Sequence, residues 1–379
     1  MKLTPTYEIP KLPPSSALET TAVLRAASKA HRHLAELKGR ASSIPNPGIL
    51  IDTLSLQEAK ASSEIENIVT THDELFQAAL FPENPSSPAA KEVARYRDAL
   101  SLGFQRVREQ EGLISNNTVI AMFQILKRTD GGFRETPGTA LKNESSGKLV
   151  YIPPQDGRVV KAQMGSLESY INDDSMCDLD PLIKMAVIHH QFESIHPFPD
   201  GNGRLGRIIN VLYLTRQGLL EIPILYLSRY ITANKSEYYR LLQYVRETGL
   251  WEEWLLYMLG AITQTSIQTL GTVEQIRSLM ARYKTDIREH HKKIYSQDLL
   301  NTLFRYPYTR IELVQRDMDI TRQTAARWLD QLCDGGLLSK HRFGKNNFYI
   351  NDPLAAVFLE IPKATSIQPS DEAGVSADI

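Results

Sequence analysis

The side chains best suited to chemistry in this sequence fall in one run of twelve residues, His196-Pro197-Phe198-Pro199-Asp200-Gly201-Asn202-Gly203-Arg204-Leu205-Gly206-Arg207. Pro199, Asp200, Gly201, Asn202 and Gly203 favour a tight loop over regular structure. A helix predicted to begin about Gly203 would turn its free backbone N–H groups and positive dipole end toward that loop, which together bind phosphate. Arg204 and Arg207, three apart on the first turn, can address the same anion. Asp200 is the one carboxylate of the loop, placed to hold Mg2+ against phosphate oxygens. His196 stands just ahead of the anion site and can take up a proton near neutral pH. Anion cradle, metal ligand, paired guanidiniums and base share one loop, and the loop is read as a site.

Two helices must position it. Asp180 is predicted to cap the first, with Pro181 at its first position. Leu182, Met185, Ala186, Ile188 and Phe192 form its buried face, and His196-Pro197 ends it. The second buries Ile208, Ile209, Leu212 and Tyr213 and stops near Gly218.

Upstream, Ile9 to Pro14 reads as an extended arm. A helix follows from about Ser16 to Lys38, a break at Ser42 to Gly48, and a helix from near Leu54 through SLQEAKASSEIENIV. After a proline-rich loop a helix runs from about Lys91 to Arg108. Between Gly131 and Lys161 the run LVYIPP, DG, RVV predicts a short β-hairpin.

The loop resembles the Fic family motif HPFx(D/E)GNGRxxR without departure. The resemblance covers about Asn117 to Trp254, and more loosely the helices before it and the module after it. It implies that AMP passes from ATP to a hydroxyl of a target protein, or of the chain itself, by in-line attack with pyrophosphate leaving. His196 would be the base, Phe198 the anchor of the loop and Asp200 the Mg2+ ligand. Asn202 and the backbone at Gly201 and Gly203 would hold the α-phosphate, and Arg204 and Arg207 the outer phosphates. Gln191 and Asn234 are further nucleotide contacts to look for. Leu149, Val150, Tyr151 and Ile152 resemble the family's flap, which holds a target segment by strand addition. Ser62, Glu66 and Asn67 match the family's inhibitory pattern (S/T)xxxE(G/N). A glutamate paired with Arg207 would occupy the guanidinium that the γ-phosphate needs.

From Ser296 to Asn351 the pattern is three short helices, then two strands around Gly344 to Asn347. Arg310 to Asp319 and Thr321 to Cys333, with Asp319-Ile320 as the turn, read as helix-turn-helix, and the whole resembles a winged helix. Thr321 would cap the second helix, with Leu329 and Leu332 in the core. Arg322, Gln323 and Thr324, with Lys340, His341, Arg342 and Lys345 on the wing, would meet DNA. The competing use is protein contact, including a homodimer. The expected fold class is mainly α: a helical core with a small β-hairpin flap and a C-terminal winged helix-turn-helix. The expected divisions are an N-terminal helical region at 1–110, the core at 111–260, a connecting helix at 261–295, the module at 296–352 and a disordered tail at 353–379.

The chain has 379 residues, 42% hydrophobic and 23% charged, which is ordinary for a globular protein of two or three domains. A net charge of −1 provides no global pull on nucleic acid. Its two cysteines, Cys177 and Cys333, lie far apart, which excludes a disulfide framework and suits a reducing cytoplasm. No apolar run approaches the roughly 20 residues of a membrane span, and the prolines of MKLTPTYEIPKLPP argue against a signal peptide. Alternatives within the same reading are removal of AMP and transfer of another phosphate-containing group. A different class is a DNA-binding regulator whose core only senses nucleotide. A zinc enzyme using His189, His190 and Glu193 is the weakest candidate, because HExxH and a third ligand are missing.

Overall fold

The computed structural model describes residues 7–44, 46–72, 74–75, 87–142, 147–343 and 346–359. Helix α1 (Thr21–Ala41) starts later than its apolar spacing predicts because the Thr20 side chain accepts from the Val23 amide and caps it there. Helix α2 (Gly48–Ile65) starts earlier, directly after Pro47, where the Asn46 side chain accepts from the Gly48 amide. Ser87 caps α3 (Pro88–Glu109), with Pro88 at its first position, and Ser115 caps α4 (Asn116–Lys127).

Strands β1 (Leu141–Lys142) and β2 (Leu149–Tyr151) pair antiparallel, Leu141 opposite Tyr151. The sequence predicts the partner of this strand downstream, across Asp156-Gly157, and that register is wrong. Asp156 instead accepts from the Arg158 amide and caps α5 (Gly157–Asn172), which buries Val160, Met164, Leu167 and Ile171 at helical spacing. The DG pair is a helix start here, because an uninterrupted apolar stripe follows it.

Helix α6 (Pro181–Ile195) begins at the predicted cap, Asp180, and is buried at every position from Leu182 to Ile195. Against it packs α7 (Asn202–Arg216), buried from Arg204 through Leu214. Helices α8 (Leu227–Ala233) and α9 (Lys235–Thr248) follow. Then α10 (Glu252–His290) runs 39 residues without a break and packs along α1. At 1.5 Å per residue it spans roughly 58 Å, straight across the expected division at 260 and 261.

The C-terminal module orders α11 (Gln297–Arg305), β3 (Tyr308–Thr309), α12 (Ile311–Met318), α13 (Arg322–Asp334), β4 (Ser339–Phe343) and β5 (Asn346–Ile350), with sheet order β3-β5-β4. Thr321 accepts from the Thr324 amide at 3.2 Å, and Leu329 and Leu332 are buried, as the sequence predicts. Gly344 and Lys345 lie outside the described residues. The tail expected after 352 begins instead as α14 (Asp352–Leu359), with Leu354 and Phe358 buried. Residues 360–379 lie outside the described residues. Both cysteines are free, and no described helix is long and apolar enough to cross a membrane.

Candidate active site

The loop between α6 and α7 is built from both ends. At its start His196 caps α6 in the left-handed conformation, φ 50° and ψ 60°, a costly geometry for a side-chain-bearing residue. Arg134 secures it. Its guanidinium donates from Nε to the His196 carbonyl at 2.7 Å and from Nη2 to the Ile195 carbonyl at 3.2 Å. Its own amide donates to the Pro197 carbonyl at 2.8 Å. Three carbonyls at the end of α6 and in the turn beyond it are thereby satisfied by one buried residue.

At the middle, Phe198 is fully buried, stacked on Phe123 with ring centroids 4.1 Å apart and tilted on Phe133 at 5.3 Å. Asn202, also buried, closes the loop: Oδ1 accepts from the Phe198 amide at 2.9 Å and Nδ2 donates to the Phe198 carbonyl at 2.8 Å. Both ends of its side-chain amide thereby brace the loop, and one Nδ2 hydrogen remains beyond these two bonds. Gly201 takes φ 82° at the start of α7, and no side chain caps that end. The amides of the first turn are left without intrahelical partners, which is what an anion site needs.

The two arginines differ. Arg204 is 1% exposed and turned toward α3, donating from Nη1 to Glu92 Oε1 at 2.7 Å. Lys127 links Glu92, at 3.0 Å, to Asp200 Oδ2, at 2.5 Å. Arg204 thus sits in a ring of charge with Glu92, Lys127 and Asp200. Arg207 is held by α2: Nε donates to Ser62 Oγ and Nη2 to the Ser62 carbonyl, both at 2.8 Å, and Nη2 meets Glu66 Oε1 at 3.1 Å. Burial by itself would lower this guanidinium, but Glu66, the ring oxygens of Tyr238 and Tyr96, and Glu193 outweigh it and hold it charged. A Cβ on Gly203 would lie 2.5 Å from Glu66 Oε1 and 3.0 Å from Arg207 Nη1, so a side chain there would displace the Glu66 carboxylate from its place on Arg207.

The His196 imidazole is pushed down to about 3, first by burial and then by the charges of Arg134 and Arg246, so it is neutral at pH 7. Its Nδ1 is buried without a hydrogen-bond partner. Asp200 is 63% exposed. Burial works against its charge, but Lys127 and Arg204 hold its carboxyl below the usual range. The described residues contain no group of three or more His, Cys, Asp or Glu placed around a metal. Mg2+ bound through one carboxylate, phosphate oxygens and water does not need such a group, and Asp200 fits that role.

The flap is tied to the same place. Leu149 and Val150 are exposed, whereas Tyr151 and Ile152 are buried. Tyr151 donates to the Ser194 carbonyl at 2.6 Å and lies under Arg246, 3.9 Å from the guanidinium carbon to the ring centroid. Gln191 and Asn234 are not part of the loop. Gln191 donates to the Pro10 carbonyl of the N-terminal arm at 3.0 Å, and Asn234 donates back to the Tyr230 carbonyl at 2.9 Å. The zinc reading fails on the same ground. His189 is bonded to Tyr238 at 2.8 Å and Asn210 at 3.0 Å, and His190 to the Leu242 carbonyl at 3.2 Å. Asn67, next to Glu66, takes φ 58° and accepts from Lys235 at 3.3 Å.

Arg134, Glu92, Lys127 and Arg246 escape sequence reasoning, since each stands tens of residues from the loop with no pattern of its own. The glycines ahead of Arg134 mark a turn, and nothing marks what its side chain reaches.

Three family models match along the chain: the Fic/DOC family N-terminal at residues 24–105, the Fic/DOC family at 113–214, and the C-terminal domain of protein adenylyltransferase SoFic-like at 279–354. A Fido domain-containing protein of Dictyostelium discoideum is 30% identical over 116 residues, covering 30% of this chain and 71% of that one. A protein of Aquifex aeolicus named probable protein adenylyltransferase is 26% identical over 188 residues, covering 48% of this chain and 55% of that one. The protein adenylyltransferase fic-1 of Caenorhabditis briggsae is 33% identical over 72 residues, and the chain spans only 14% of its length. Among solved structures, a Fic family protein from Desulfovibrio desulfuricans superposes with a TM-score of 0.55 at 18% identity, covering 89% of this chain and 98% of that one. Fic-1 from Caenorhabditis elegans gives 0.52 at 19% identity, covering 66% and 74%. Motif, helical core, flanking domains and overall fold agree: this chain belongs to the Fic/DOC family.

Proposed function

We propose that this protein transfers AMP from ATP to a hydroxyl group of a protein, another or itself, and that Glu66 restrains the reaction. One observation carries the reading. A neutral, rigidly presented histidine stands beside an uncapped helix N-terminus whose buried arginine is already held by a carboxylate from α2.

In the reaction, His196 Nε2 accepts the proton of the attacking hydroxyl. The hydroxyl oxygen bonds to the α-phosphorus as the bridging bond to the β-phosphate breaks, and pyrophosphate leaves with the electron pair. The first-turn amides of α7 hold phosphate charge that grows in the transition state. Arg207, once released, pairs with the outer phosphates, and Lys127 and Arg204 keep Asp200 ionised. Asp200 would hold Mg2+, which when bound would neutralise charge on the phosphates. Leu149 and Val150 are exposed on a strand that Tyr151 ties to the end of α6, and a target segment would be laid along it. The C-terminal module has the element order of a winged helix. Arg322 is paired with Glu312 and Lys340 with Asp330, which favours a protein partner for this face over DNA.

The test is α-labelled ATP with Mg2+ and three purified proteins: parent, Glu66→Gly, and Glu66→Gly combined with His196→Ala. Strong label on protein in the second, faint in the first and none in the third is the expected result. No label in the second, with ATP still bound, overturns the reading in favour of AMP removal or nucleotide sensing.

A further inference from the structure

Helix α2 carries one more carboxylate on the face that holds Arg207. Glu58, Ser62 and Glu66 stand four apart, so they form a single stripe. Glu58 is 3% exposed and accepts from Ser228 Oγ, from the Ser228 amide at 3.3 Å, and from Tyr96 Oη at 3.2 Å. Ser228 belongs to α8 and Tyr96 to α3, so three helices converge on this one side chain. Ser62, on the same stripe, receives the Arg207 Nε hydrogen at 2.8 Å.

Glu58 therefore accepts from α3 on one side and from α8 on the other, while Ser62, one turn further along α2, accepts from Arg207. Burial lifts the Glu58 carboxyl to about 7, so both of its oxygens are free to accept only above that pH. We propose that Glu58 is the positioning residue for inhibition: it latches α2 to α3 and α8 so that Ser62 and Glu66 stay in register with Arg207. It touches neither nucleotide nor reacting atoms. A glutamine in its place keeps the shape but offers one acceptor in place of two, and turns an amide N–H against donors.

The proposal rests on Glu66 acting as the restraint, and the experiment separates the two. Hydrogen exchange and AMP transfer are measured at about pH 8, where Glu58 is ionised, for the parent, Glu58→Gln, Glu66→Gly and the double variant. Glu58→Gln should speed exchange in the last two turns of α2 about tenfold, the scale of one hydrogen bond to a charged group, while exchange in α6 stays as in the parent. Transfer should rise about tenfold in the parent background by the same measure, and not at all in the Glu66→Gly background. Tyr96→Phe, which removes one donor and keeps the ring, should shift α2 exchange in the same direction. Parent-like exchange in α2 after Glu58→Gln overturns the latch. So does faster exchange in α2, α6 and α8 together, or slower transfer in both backgrounds, since each marks a merely structural role. If Glu66→Gly transfers no label, the AMP-transfer reading fails, while the α2 exchange still decides whether Glu58 holds the helix.

Discussion

Replacing Arg134 by glutamine probes the least expected part of the site. Arg134 is 5% exposed and donates to the His196 carbonyl at 2.7 Å and the Ile195 carbonyl at 3.2 Å. A hydrogen bond from a charged donor is worth about 1.5–3 kcal/mol, the long one less. Losing both removes about 3 kcal/mol of restraint from a turn whose left-handed histidine costs about 1–2 kcal/mol to hold. A shift of about 2–3 kcal/mol against the presented conformer lowers its population roughly 30- to 150-fold. The backbone bond from Arg134 to the Pro197 carbonyl survives, and Arg134 makes no contact with Arg207 or Asp200, so nucleotide binding should hold. The assay is single-turnover transfer from α-labelled ATP in the Glu66→Gly background, with the ATP Kd measured separately. The expected result is a rate constant down about 100-fold with Kd within about twofold. An unchanged rate would refute the clamp. A Kd that weakens as much as the rate, together with a lower Tm, would show that Arg134 supports the fold and not the histidine.

The remaining predictions concern restraint, packing and pH. Glu66→Gln keeps a hydrogen bond to Arg207 and removes the charge. Glu66 is 33% exposed, so the contact is worth about 1–2 kcal/mol and transfer should rise about 5- to 30-fold, and a rate within about twofold of the parent sinks the claim. Phe198→Ala leaves a hole against Phe123 at the root of the loop and should cost about 3–5 kcal/mol in denaturant unfolding; a loss below about 1 kcal/mol would mean that the ring does not anchor the loop. Burial lowers three imidazoles, His189 and His196 to about 3 and His190 well below the usual value, and raises the carboxyls of Glu58 and Glu193 to about 7. Between about pH 4.5 and 6.5 the unfolded chain binds the three imidazole protons while the folded chain keeps the two carboxyl protons. The unfolded state therefore holds about one proton more, and stability should fall by about 1.4 kcal/mol for each pH unit of acidification in that window. Chemical denaturation at pH 6.5 and 5 measures it, and stability that rises on acidification contradicts the burial of these histidines.

The first helix of the site pair was legible because its signals are local. Asp180-Pro181 caps α6, Leu182 through Phe192 mark its buried side, and Gly201 supplies the positive φ that only glycine takes without strain. The sequence marks the right strand of the hairpin but not its partner, since Asp156-Gly157 serves a turn and a helix cap equally well until the residues after it are packed. The start of the tail is helical because Leu354 and Phe358 are buried, and that burial depends on helices elsewhere in the chain. The motif places Arg204 and Asn202 in the loop but does not show that Glu92 and the Phe198 backbone partner them, since those contacts come from packing.

By itself the sequence determined the kind of site: a histidine, a phosphate-binding turn and two arginines in one loop, with a glutamate far upstream that matches an inhibitory pattern. Those follow from residue type and short spacing, because backbone conformation, capping and anion affinity are decided within a few bonds. Only the tertiary structure decided which side chains are already engaged. It set Glu66 and Ser62 against Arg207 across 141 and 145 residues, Glu92 against Arg204 across 112, and Arg134 against the His196 carbonyl across 62. The strength of a charge or a hydrogen bond depends on what surrounds it and how far it is from water, and that is fixed only when distant segments pack.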